Sequence, residues 1–166
     1  MGTGFNPTAW MTFFSAQIGA SAGLAGLIFV AVSINLKRIV ELPHLVARSA
    51  KALFTLVGVL LTSIVCLVPG QSLRVLAGEL LGLGFALWIA TSLAERGTVR
   101  GNTYINGRQR VSYLIVTQLS LVPYPIAGVS LLAGSGGGLY WLVVAISLSY
   151  LAALLDAWVL LIEIQR

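Results

Sequence analysis

Charge is what this sequence has least of. Asp, Glu, Lys and Arg together make up 9% of it, and 58% is hydrophobic; a soluble domain carries roughly 25% charged residues. A monomer of that make-up would expose more apolar surface than water tolerates, which argues against an aqueous globular fold and for the bilayer as solvent. Cysteine is reduced to Cys66, so no intramolecular disulfide can form, and its place in an apolar run marks it as an inert core thiol. Histidine is reduced to His44, so a His-rich metal cluster within one chain is excluded. The strings H-E-x-x-H, C-x-x-C and G-x-S-x-G are missing. Intramembrane hydrolysis needs an activated nucleophile and a base, yet no His neighbours a buried Ser and no two Asp share a depth. The expectation is a non-enzymatic chain with no catalytic residues, no metal and no cofactor.

What the sequence does hold is five long apolar runs. A span needs about 20 apolar residues, with about 17 as the lower limit, and the runs give spans at about 10–36, 48–68, 73–94, 111–133 and 139–163. The second helix can begin earlier, at Pro43 or Arg48, since Pro suits a first helical turn. These spans and their connections use nearly all of residues 1–166. The expected fold is therefore all-α, a single transmembrane domain built as a five-helix bundle. A cleavable signal peptide is not expected, because the N-terminus lacks a basic region and its first apolar run is too long. Asn6-Pro7 reads instead as an N-cap followed by Pro at N1, with Trp10, Phe13 and Phe14 at an interface.

The net charge of +5 would fit nucleic acid, but its distribution fits a membrane. Lys37, Arg38, Arg48 and Lys51 fall between the first two runs, and Arg96, Arg100, Arg108 and Arg110 between the third and fourth. The other two connections hold no basic residue, Arg74 alone flanking that side. By the positive-inside rule the basic loops are cytoplasmic, the N-terminus is outside and the C-terminus cytoplasmic. The expected location is the cell membrane (plasma or inner), crossed several times. Pro69-Gly70 reads as the centre of a type II turn. Gly134–Gly138 reads as a flexible outer link, and no Lys-Ser/Thr follows to make it a phosphate loop. The one substantial polar loop, 95–110, is expected to meet anionic lipid head groups or a cytoplasmic partner.

Within the first span Gly19, Ala22, Gly23, Gly26 and Ser33 share a helical face. Gly19-x-x-x-Gly23 and Ala22-x-x-x-Gly26 are small-xxx-small pairs, which let backbones approach closely in lipid. Gln17 and Asn35 lie nearly opposite, so this span wants protein on two sides. It is either the central helix of the bundle, by ordinary intrachain packing, or a subunit contact in a homo-oligomer or larger membrane complex. Residues 10–36, W-x2-F-F-x4-GASAGLAGLIFVAVSIN, resemble the opening of small bacterial polytopic membrane proteins, some labelled modulators of the FtsH membrane protease. LVPGQS at 67–72 gives weaker support. The resemblance implies an accessory or regulatory role and no particular site residues.

Polar residues inside the runs are the candidate sites. Helical rise puts Gln17, Ser63 and Glu79 each about 10 Å in from the outer ends of their spans, with Thr62 nearby, as one polar layer. Gln118 and Asp156 lie about 10 Å in from the other side. An ionised carboxylate inside a span costs on the order of 3 kcal/mol or more. Glu79 thus either locks helices by hydrogen bonding to Gln17 or Ser63, or forms a proton or cation site in a small oligomeric channel or transporter. Asp156 shares a stripe with Ala145, Ser149 and Ala152, suited to packing or to lining a path, and Arg110 or Arg96 is its expected partner. Pro123-Tyr124-Pro125 frees the carbonyls of Leu119 and Leu121 and predicts a kinked fourth span.

Overall fold

The computed structural model describes residues 2–100 and 115–164. Among them every regular element is helical: two single 3-10 turns at Thr3–Phe5 and Pro7–Trp10, then α1 (Met11–Ile34), α2 (Leu36–Glu41), α3 (Pro43–Cys66), α4 (Leu73–Arg100), α5 (Pro123–Ala133) and α6 (Tyr140–Ile164). Residues 115–121 are helical too and lead into α5 through a turn at Val122. Five helices are long and apolar enough to cross a membrane: Pro7–Ile34, Pro43–Cys66, Leu73–Arg96, Ile115–Ala133 and Tyr140–Ile162. The fold is that of a multi-pass membrane protein. Most of the polar segment 95–110, and the first residues of the expected fourth span, lie outside the described residues.

Local chemistry sets the ends of these helices. The Asn6 side chain accepts from the Thr8 backbone N–H at 3.2 Å, and Pro7 takes the following position. Asn35 interrupts the first helix, its Nδ2 donating to the Ala31 carbonyl at 3.0 Å, so Lys37 and Arg38 belong to the separate short helix α2. Pro43 opens α3, where the missing N–H costs nothing. That start, five residues before 48, carries Arg48 and Lys51 off the loop and onto the helix. Gly70 has φ +69°, as position i+2 of a type II turn requires.

The link at 134–138 is a fixed corner, where a flexible one was expected. Gly138 N donates to Ser130 Oγ at 2.7 Å and Trp141 Nε1 to the Gly136 carbonyl at 2.7 Å. The N-terminal turn docks here: Leu139 N reaches the Gly4 carbonyl at 2.8 Å, and Thr3 Oγ1 pairs with Tyr140 Oη at 2.7 Å. A Cβ on Gly138 would collide with the Gly4 carbonyl, so glycine is needed for this approach as well as for φ +57°.

The central helix is α3, which packs against α1, α4 and α6, while α4 and α6 together hold the fourth span. Of the two roles open to the first span, the central one is taken by α3 instead. Only 11% of its apolar stretch is buried, against 56% for α3. The reason lies in side chains that admit close neighbours. Gly58 of α3 faces Leu87, Gly84 of α4 faces Tyr124 and Pro125, and Gly128 of α5 faces Leu81 and the Ala77 carbonyl, each within 3.4 Å of where a Cβ would be. Gly19, Gly23 and Gly26 have nothing within 4 Å of that position, and Ala22 is exposed beside them. Among the described residues, intrachain packing does not use this face.

Candidate functional site: a buried charge cluster

Four of the chain's ionisable residues are gathered at one end of the bundle, where α3 begins and α4 and α6 end. Lys51 lies eight residues into α3, about 12 Å along its axis. One turn earlier on the same face is Arg48, and a buried stripe continues through Thr55, Gly58, Thr62 and Cys66. The buried face of α4 runs through Leu76, Leu80, Gly84, Leu87 and Thr91. Steps of three and four residues carry that stripe on to Glu95. On α6 the inward face holds Ala145, Ser149, Ala152 and Asp156. Arg48, Lys51, Glu95 and Asp156 are 3%, 7%, 4% and 4% exposed, a degree of burial that ionisable side chains reach only when paired.

Lys51 is the hub. Its Nζ stands 3.0 Å from Asp156 Oδ2 and 3.8 Å from Glu95 Oε1. It also donates to Thr117 Oγ1 at 3.2 Å, and that hydroxyl in turn donates to Glu95 Oε1 at 3.2 Å. Through one ammonium group α3, α4, α6 and the fourth span are tied together. The charge of Arg48 also acts on both carboxylates, so among the described residues two basic and two acidic side chains share the site. Glu95 Oε2 is buried without a hydrogen-bond partner. In a low-dielectric setting such pairing offsets the large cost of taking each ion out of water. The arrangement can fix helix positions or hold a proton. Among the described residues no group of three His, Cys, Asp or Glu is placed to hold a metal.

The residues singled out from sequence are distributed differently from expectation. Asp156 pairs with Lys51 rather than with Arg96, which is exposed, or Arg110, which lies outside the described residues. Lys51 is nearer because α3 packs directly on α6. The outer layer of Gln17, Ser63 and Glu79 does not assemble. Glu79 lies off the buried stripe of α4, is exposed, and takes its hydrogen bond from Gln71 just after the turn. Ser63 donates to the Val59 carbonyl of its own helix at 2.8 Å. Gln17 contributes its backbone carbonyl, which accepts from Ser21 Oγ at 2.7 Å and Tyr150 Oη at 3.2 Å. Gln118 Oε1 accepts from Trp88 Nε1 at 2.7 Å, while its neighbour Thr117 faces the cluster. At the Pro123-Tyr124-Pro125 segment the helix is interrupted only by a turn at Val122, whose backbone stays in the α-helical region (φ -54°, ψ -38°). Tyr124 is fully buried there, with its Oη 3.1 Å from Ser149 Oγ.

Sequence reasoning missed Lys51, Arg48, Glu95 and Thr117 as members of a site. Both cations lie between two apolar runs in sequence and read as connecting charges, although the helix start at Pro43, one of the two expected, places them on α3. The signal that would have found Glu95 is the three-and-four spacing along α4, which selects Glu95 and passes over Glu79. Fold and site together define a class, a helical multi-pass membrane protein with a buried ionic cluster near one end of its bundle. Comparisons of the chain with protein-family models, curated proteins and solved structures find no match.

Proposed function

We propose that this protein is a non-enzymatic accessory or regulatory subunit of the cell membrane that acts by lateral helix–helix association through its first span. The observation that carries this reading is the open face of Gly19, Ala22, Gly23 and Gly26 on the least buried span. Lipid gives no hydrophobic reason for helices to meet, and small residues supply instead the close backbone approach that holds them. The resemblance of residues 10–36 to small bacterial polytopic membrane proteins, some labelled modulators of a membrane protease, points the same way. In this reading the basic loops face the cytoplasm and the N-terminus lies outside.

The test is disulfide or bifunctional crosslinking in native membranes from Gly23→Cys, with Leu132→Cys as a lipid-facing control. Specific adducts from the first position alone, lost when Gly19→Leu is added, are the expected result. A chain that stays monomeric and partnerless from both positions refutes the reading. One observation favours a second reading, a proton or ion conduit: the unpaired Glu95 Oε2 within a buried ionic cluster, since ionisable groups at membrane depth commonly mark such paths. It moves the conduit from Glu79 to Glu95 and Asp156.

A further inference from the structure

On the cluster's side of the bundle, α1 and α6 diverge and leave a lateral groove of about 200 Å³, lined entirely by apolar side chains. Its walls run from Leu24 to Val32 on α1 and from Ala153 to Leu161 on α6. Each wall is nine residues long, about 12 Å over its eight helical steps. One leaflet of hydrocarbon is about 15 Å deep, half of a 30 Å core. The groove therefore has the depth of a single leaflet, too short for a second spanning helix to lie along and matched to one acyl chain. Ala31, Ala153 and Ala157 keep it open, and an unfilled gap of this kind forfeits the contacts that its lining would otherwise make.

The membrane-surface end of the groove is closed by α2. Ile39 turns inward, 2% exposed, onto Leu45 and Leu160, and also lines the groove. Lys37 and Arg38, immediately before it, are exposed, with Glu41 the one acid beside them. An apolar slot capped by a net positive surface is complementary to an anionic amphiphile. We propose that this groove binds one acyl chain of an anionic phospholipid, its phosphate held by Lys37 and Arg38. The break at Asn35 is what lets α2 turn so that Ile39 seals the slot while the two cations face the head-group layer. This inference is independent of the association proposed above, which uses another face of α1.

Native mass spectrometry of the full chain, released from nanodiscs of equal phosphatidylglycerol and phosphatidylcholine, tests it. The expected result is one retained lipid per chain, predominantly phosphatidylglycerol. Lys37→Gln and Arg38→Gln, both at exposed positions, should each reduce that preference about fivefold, the weight of one basic residue at an anionic surface. Arg74→Gln, at the other end of the bundle, should leave it unchanged. Ala157→Phe, which fills the slot, should lower retention of both lipids; Ala31→Leu provides the same test with a smaller side chain. Equal retention of the two lipids by the wild type, or a preference untouched by both charge variants, overturns the proposal. A lipid-free dimer would assign the groove to a second copy and overturn it equally.

Discussion

At the scale of single residues, Lys51 decides the most. Removing one partner of a buried ion pair leaves the others uncompensated and typically costs about 3–5 kcal/mol, whereas replacing the pair by apolar groups is often neutral. Lys51→Ala is therefore expected to lower stability by about that amount. Lys51→Met combined with Asp156→Leu should recover much of the loss, read by denaturant titration in detergent. The distances order the acids: Asp156, at 3.0 Å, should matter more to stability than Glu95, at 3.8 Å. Glu95→Gln then separates two roles. A cluster that only fixes helices keeps proteoliposomes as proton-tight as empty vesicles in both wild type and variant; a conduit shows wild-type flux that the variant abolishes. Lys51 escaped the sequence because a charge near the end of an apolar run looks the same whether it faces solvent or a neighbouring helix. The packing of its helix face, which buries Lys51 against Asp156 of α6, settles which.

Among elements, α3 is the one whose role the sequence understated. Five helices long and apolar enough to span followed from hydropathy alone, since each run reaches the length a bilayer core requires. Which helix is central did not follow. Glycine content pointed to α1, but backbone contact needs a partner as well as a missing side chain, and Gly58, Gly84 and Gly128 have partners where Gly19, Gly23 and Gly26 do not. Gly58→Leu should therefore force α3 off Leu87 and destabilise the monomer by about 1–3 kcal/mol, the usual range for overpacking. Gly23→Leu should leave monomer stability within about 0.5 kcal/mol, as surface changes do, while weakening association. Melting and crosslinking measured on both variants separate folding from assembly. Equal thermal destabilisation by the two would mean that the first span's face is occupied within the chain.

For the whole molecule, the two ends are built differently. One end is joined by ions and carries α2; at the other, the N-terminal turn docks on the Gly134–Gly138 corner through hydrogen bonds and aromatic contacts such as Trp10–Tyr140, with ring centroids 4.9 Å apart. In a background lacking the buried Cys66, Lys37→Cys and Ser135→Cys should react with an impermeant thiol reagent from opposite sides of the membrane, Lys37→Cys from the cytoplasm. Labelling of both from one side would contradict an odd number of crossings between them and the assigned orientation. Up-and-down helix order was legible from loop lengths. The docking of the N-terminus was not, because a glycine run looks mobile until its φ > 0 residues find a backbone to lie against.

The span holding Lys51 leaves the ribosome long before its strongest counter-ion exists. Asp156 is made 105 residues later, whereas Glu95 follows after 44. At about 5–20 residues per second of synthesis, the lysine waits several seconds with Glu95 as its only available carboxylate among these two. The longer, 3.8 Å contact to Glu95 can thus form first, and the 3.0 Å contact to Asp156 only once the last helix has been made.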